Sequence, residues 1–128
     1  MSESEAPPLG EPAIRAVAMP ADTNPNGDIF GGWLMAQMDL AGGITAWRRA
    51  GGRTATVAVD SMTFHRPVKV GDVVSIYARI IGIGRTSIRI FIEAWRLSRD
   101  GTMSKVTSAT FIYVALGPDG RPRPVDPL

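Results

Sequence analysis

The sequence predicts an α+β fold in which one long helix is wrapped by a curved antiparallel sheet of about five strands. Three observations carry that expectation. Residues 29–47 are nearly all apolar or small and fit a helical period, with Asp39 the one ionisable side chain among them. After the helix the pattern changes to two-residue alternation. The later segments are joined by short turns that carry glycine or proline.

Taken in order, residues 14–19 read as a first strand. The loop that follows packs Asn24-Pro25 and Asn26-Gly27 turn signals into a short span, so the chain must bend sharply before the helix. Residues 31–49 form that helix. Residues 54–65, 73–83, 86–97 and 103–116 read as strands, with Ile88, Ile90, Ile92 and Ala94 sharing one face. Their turns fall at 66–72, 82–85 and 98–101. On the far face Phe91 and Trp95 alternate in beside Arg89 and Glu93, and the last strand is apolar on both sides, so this surface is expected to meet another subunit. Residues 1–11 and 117–128 are rich in proline and polar residues and are expected to be loosely ordered, leaving residues 12–116 as the folded domain.

With 128 residues the chain makes one domain, which buries about two-thirds of the surface its unfolded form exposes. A composition of 45% apolar and 20% charged residues is that of a globular protein, and a formal charge of +2 gives no reason to expect nucleic acid as a partner. The absence of cysteine excludes thiol catalysis and thiolate metal sites, and a lone His65 cannot build a zinc centre, so no metal is expected. The start lacks the basic and apolar regions of a secretion signal, and no apolar run reaches the roughly 20 residues of a membrane span. A cytoplasmic protein without a membrane partner is the expectation.

Asp39 demands a reason. A carboxylate withdrawn from water costs several kcal/mol unless it is paired, and the helical wheel sets this one among Gly32, Met35, Ala36, Gly42, Gly43 and Ala46. Phe30, Leu34, Ala41 and Ile44 form an apolar stripe opposite, so the helix is expected to be buried on nearly all sides. Each helical glycine costs roughly 1 kcal/mol relative to alanine, which suggests that a neighbouring chain or a ligand approaches Gly42 and Gly43 closely. The plainer reading is that Asp39 faces solvent or pairs with an arginine such as Arg66, the glycines only permitting tight packing. At the other end, Gly31 and Gly32 open the helix with unpaired N–H groups suited to an oxyanion. Gly32 and Asp39 lie roughly 10 Å apart along the axis, too far to act on one carbonyl, so the site would be shared between two antiparallel chains.

The run Ala-Met-Pro-Ala-Asp-Thr-Asn-Pro-Asn-Gly-Asp-Ile-Phe-Gly-Gly-Trp-Leu-Met-Ala-Gln-Met-Asp, from Ala18 to Asp39, resembles the signature of hotdog-fold acyl-CoA thioesterases of the YciA-like branch. The resemblance continues through residues 59–64, 66–68, 70–74, 84–87 and 93–95 and covers about residues 14–116. It implies a hotdog fold working as a homodimer or a trimer of dimers, and hydrolysis of acyl-CoA to free coenzyme A and a carboxylic acid without a cofactor. By position it implies Asp39 as the catalytic carboxylate, Asn24 as an orienting amide and Gly32 as the oxyanion-hole N–H. Gly84, Arg85, Thr86 and Ser87 fall where donors could hold coenzyme A phosphates. Arg121 and Arg123 in the proline-rich end are expected to be inert toward ligand. The alternatives are a module that binds or senses acyl-CoA without cleaving it and, last, a hydratase, which would recruit a histidine that this helix lacks.

Overall fold

The computed structural model describes residues 6–127. Within them run β1 (Ile14–Val17), a 3-10 turn (Pro20–Asp22), α1 (Gly31–Ala50), β2 (Thr54–Val59), β3 (Val73–Ile83), β4 (Ser87–Leu97) and β5 (Met103–Ala115). The strands form one antiparallel sheet in the order β1-β3-β4-β5-β2. Helix α1 packs against every one of them, as the periodicity implied. Among the described residues no helix is long and apolar enough to cross a membrane.

Strand alternation decides what the helix meets. Ile88, Ile90, Ile92 and Ala94 are fully buried, and so are their cross-strand neighbours Ile76, Phe111 and Tyr113. These side chains close on Leu34, Met38, Ala41 and Ala46 of α1 in a single core cluster. Burying each large aliphatic or aromatic side chain there contributes roughly 1.5–3 kcal/mol. The helix stops at Gly51, whose left-handed backbone (φ 70°) lets its N–H reach the Trp47 carbonyl at 2.9 Å.

Four expectations need correction. Helix α1 is not covered on all sides, since only the face through Leu34, Met38, Ala41 and Ala46 meets the sheet. Phe30 and Ile44 of the anticipated stripe are exposed, and Leu40 and Trp47 are each 57% exposed, because one chain supplies only one wall. Strand β2 ends at Val59 rather than at residue 65, after a bulge between Thr56 and Ala58 breaks its register with β5. Beyond it the chain stays beside β5 through isolated bonds, from the Asp60 N–H to the Thr110 carbonyl (2.9 Å) and the His65 N–H to the Val106 carbonyl (2.8 Å).

The outer face of the sheet is also less greasy than the alternation implied. Trp95 is only 2% exposed and donates its indole N–H to Glu93, and the Arg79 guanidinium lies over the Phe91 ring at 5.2 Å. Of the N-terminal segment expected to be loose, residues 1–5 lie outside the described residues, and Ala6–Glu11 forms neither helix nor strand. The C-terminal segment is not loose where it is described. Its Val125 is buried and donates its N–H to the Arg85 carbonyl at 2.9 Å, while Asp126 forms an ion pair with Arg49 at 2.8 Å. Arg123 donates to the carbonyls of Leu116 (3.2 Å), Pro124 (2.9 Å) and Ala50 (2.8 Å), so it satisfies the last carbonyl of α1. Its role is thus structural.

Replacing Arg123 by alanine leaves the part-buried Ala50 and Leu116 carbonyls without that donor. The variant is expected to lose about 1–3 kcal/mol of stability in urea unfolding. An unchanged midpoint and slope would contradict the assigned role.

Candidate active site

Asp39 sits on the second turn of α1 past its glycine start, half-buried, and its carboxylate turns toward the sheet. Oδ1 accepts the Thr56 hydroxyl at 2.6 Å and the Tyr113 hydroxyl at 2.9 Å. Thr56 and Tyr113 are direct partners across the β2/β5 ladder. Burial first, and the Asp39 contact second, push the Tyr113 phenol far above the ordinary tyrosine range, so it stays protonated and is the donor. Oδ2 has no hydrogen-bond partner among the described residues. Asp39 borders an open depression of about 330 Å³, lined also by Leu40, Gly43, Ile44, Trp47, Thr54, Thr56 and Tyr113.

The arginine partner considered for Asp39 is not the one it takes. Arg66 donates to the Lys105 carbonyl instead. The two glycines divide their tasks. A Cβ on Gly42 would stand 2.1 Å from the Tyr113 hydroxyl oxygen and 2.6 Å from Ile92 Cδ1, so the object that approaches this backbone belongs to the same chain. Gly43 has nothing within 4 Å of the equivalent point. It opens onto the depression.

Gly32 lies at the start of the helix, two turns before Asp39, and Asn24 in the loop that leads into it. The Asn24 side-chain oxygen accepts the N–H groups of Asn26 (2.9 Å) and Asp28 (3.2 Å), which builds the turn that the Asn-Pro-Asn-Gly sequence announced. Its amide nitrogen donates to no group among the described residues. The loop is tied to the helix start by the Phe30 N–H to the Asp22 carbonyl at 2.7 Å. Phe30 is the N-cap and supplies no side-chain acceptor; the N–H groups of Gly31 and Gly32 therefore stand free among the described residues. Gly32 borders a depression of about 460 Å³ with Ala21, Asp22, Thr23, Phe30 and Trp33. It is separate from the depression at Asp39. One chain by itself does not bring Asn24 and Gly32 to the carboxylate.

The hairpin of Gly84, Arg85, Thr86 and Ser87 lies one register step from this region, because Ser87 pairs with Val114 and Ile88 with Tyr113. The expected backbone cradle there is partly used up. The Gly84 N–H is already committed to the Ser87 carbonyl at 2.8 Å. The Arg85 side chain is exposed. Thr56 and Tyr113 were not singled out in the sequence, since each reads as an ordinary strand residue. A signal existed in the pairing of a helical Gly42 with a buried tyrosine, whose hydroxyl needs a partner. Among the described residues no group of three or more His, Cys, Asp or Glu side chains gathers as a metal cage would.

Comparison with known proteins places these features in a lineage. The model of the thioesterase superfamily matches residues 26–102. The acyl-CoA thioester hydrolase YciA of Salmonella typhimurium is 55% identical over 98% of this chain and 97% of its own length. Among solved structures, a hexameric thioesterase from Yersinia pestis superposes with a TM-score of 0.89 at 54% identity, covering 94% of this chain and 99% of that one. A hexameric hotdog-fold thioesterase of Campylobacter jejuni does so with a TM-score of 0.84 at 41% identity, over 91% of each chain. The helix and its wrapping sheet are thus the hotdog fold. With the family pattern spanning the loop, α1 and strands β2 to β4, and kinship extending over nearly the whole length, the chain belongs to the thioesterase superfamily.

Proposed function

We propose that this protein hydrolyses acyl-CoA thioesters to coenzyme A and a carboxylic acid, the activity for which its relative is named. The observation that carries the reading is the state of the Asp39 carboxylate. One oxygen is held by two hydroxyls, the other has no partner among the described residues, and the residue lines an open depression. Such an oxygen can take a proton from water as the water attacks the thioester carbon, the C–S bond then breaking and the proton passing to the departing thiolate. It can equally attack that carbon itself, the C–S bond breaking to release the coenzyme A thiolate and leave an anhydride, which water then opens to the carboxylic acid and the regenerated Asp39 carboxylate. Both routes use Oδ2.

The remaining parts come from a second copy of the chain. The free N–H of Gly32 stabilises the oxygen on which charge develops, a contribution of roughly 3 kcal/mol for one such donor, and the free amide nitrogen of Asn24 orients the water or the substrate carbonyl. Two features support an antiparallel pair. The exposed apolar face of α1 at Leu40, Ile44 and Trp47 lies open in one chain, and β2 leaves a bare edge rich in β-branched residues, with Val57 and Val59 exposed. The hexameric neighbours favour a trimer of such dimers. Coenzyme A phosphates would lie by the Gly84–Ser87 hairpin, with the exposed Arg85 as the charged contact. On this reading the protein works in the cytoplasm, and the hydrolysis as written uses no cofactor.

Asp39→Asn keeps the shape of the site and removes the base. Its kcat toward acyl-CoA is expected to fall by about 10²–10⁴-fold, followed by trapping the released thiol, with unchanged KM and thermal unfolding. Full turnover in that variant would remove Asp39 from the reaction. A wild-type protein that binds acyl-CoA across short and long acyl chains yet releases no thiol would instead identify a binding module.

A further inference from the structure

We infer that Tyr113 is a positioning residue that selects which oxygen of Asp39 reacts, reaching the helix through the gap that Gly42 leaves. The inference rests on the reading of Asp39 given above and adds to it a residue and a geometric constraint. An aspartate on a helix surface turns freely about its terminal bond, so neither oxygen has a fixed place. Here Oδ1 receives two donors from one cross-strand pair, Thr56 at 2.6 Å and Tyr113 at 2.9 Å. The Tyr113 oxygen also lies 3.1 Å from the backbone carbonyl of Asp39, so a single phenol locates both the side chain and the main chain of this residue.

The phenol is itself immobile. Tyr113 is 1% exposed, is stacked on Phe111 with ring centroids 6.4 Å apart, and belongs to the longest strand of the sheet. Its reach depends on the absence of a side chain at Gly42, where a Cβ would stand 2.1 Å from the hydroxyl oxygen. A fully buried tyrosine and a helical glycine are each unfavourable placements, one for its hydroxyl and one for the helix. Together they place a rigid donor against Oδ1 and leave Oδ2 without a donor among the described residues, in a residue that lines the depression. Because burial holds the phenol protonated, the donor persists well into alkaline solution.

Tyr113→Phe removes the hydroxyl and keeps the ring. We expect kcat to fall by about 10- to 100-fold, the order associated with a misplaced reactive group, while KM and the assembly state stay as in the wild type. Gly42→Ala, which displaces the phenol without removing it, should also lower kcat more than it raises KM. Wild-type kcat in Tyr113→Phe, with Asp39→Asn inactive, would overturn the inference and leave the Asp39 reading standing; an active Asp39→Asn would remove that reading instead. Loss of folded protein with unchanged kcat per folded chain would mark a purely structural tyrosine and also overturn it. Phenolate absorbance gives a readout that needs no turnover. Folded wild type and Tyr113→Phe should develop equal phenolate absorbance through about pH 10, the ordinary tyrosine range, and extra absorbance in the folded wild type would show that the donor is lost.

Discussion

A carboxylate on a helix is tied to a sheet through two hydroxyls, and much else in this chain is arranged around that tie. Thr56 and Tyr113 come from neighbouring strands, and both end on the same oxygen of Asp39. Satisfying one oxygen lowers the cost of holding a charge away from water. Leaving the other open keeps it available. The tie requires α1 to lie close to β5 at one particular turn, which explains why glycine stands at position 42, against the Tyr113 hydroxyl and Ile92.

The architecture was legible because periodicity is a local property. The helix and the strands at residues 73–83 and 103–116 are found within one residue of their expected ends, and the inward set of isoleucines is as alternation places it. The differences arise where a long-range contact intervenes. The bulges at Thr56/Ala58 and Ala94/Trp95 each shift a register that alternation alone treats as continuous. The C-terminal segment has a composition that suggests looseness, yet Arg123 and Val125 find partners on α1 and the β3–β4 hairpin.

Asp39 itself was legible as the lone ionisable residue in an oily helix, and Asn24 as part of a turn signal. Their surroundings were not. A threonine in an alternating strand carries no mark of what it will bond, and Arg66, the arginine named as an example in the plainer reading of Asp39, donates to a backbone carbonyl. Gly42 and Gly43 looked alike in sequence, whereas one admits a phenol from the same chain and the other borders the open depression. The outward apolar face of α1 was hidden in the same way, because composition reports how much apolar surface a helix has and not whether one chain or two will cover it.

On the proposed reading Asp39 of one subunit works with Asn24 and Gly32 of another, and mixed subunits test it most directly. Asn24→Asp keeps the oxygen that builds the turn and removes the amide donor; Asp39→Asn removes the carboxylate. Each homo-oligomer should be nearly inactive. In a hetero-dimer of the two variants, one site combines both lesions and the other is wild type, so activity should return to about half of the wild-type value per dimer, as twofold symmetry requires. No recovery in isolated hetero-dimers would contradict the shared site.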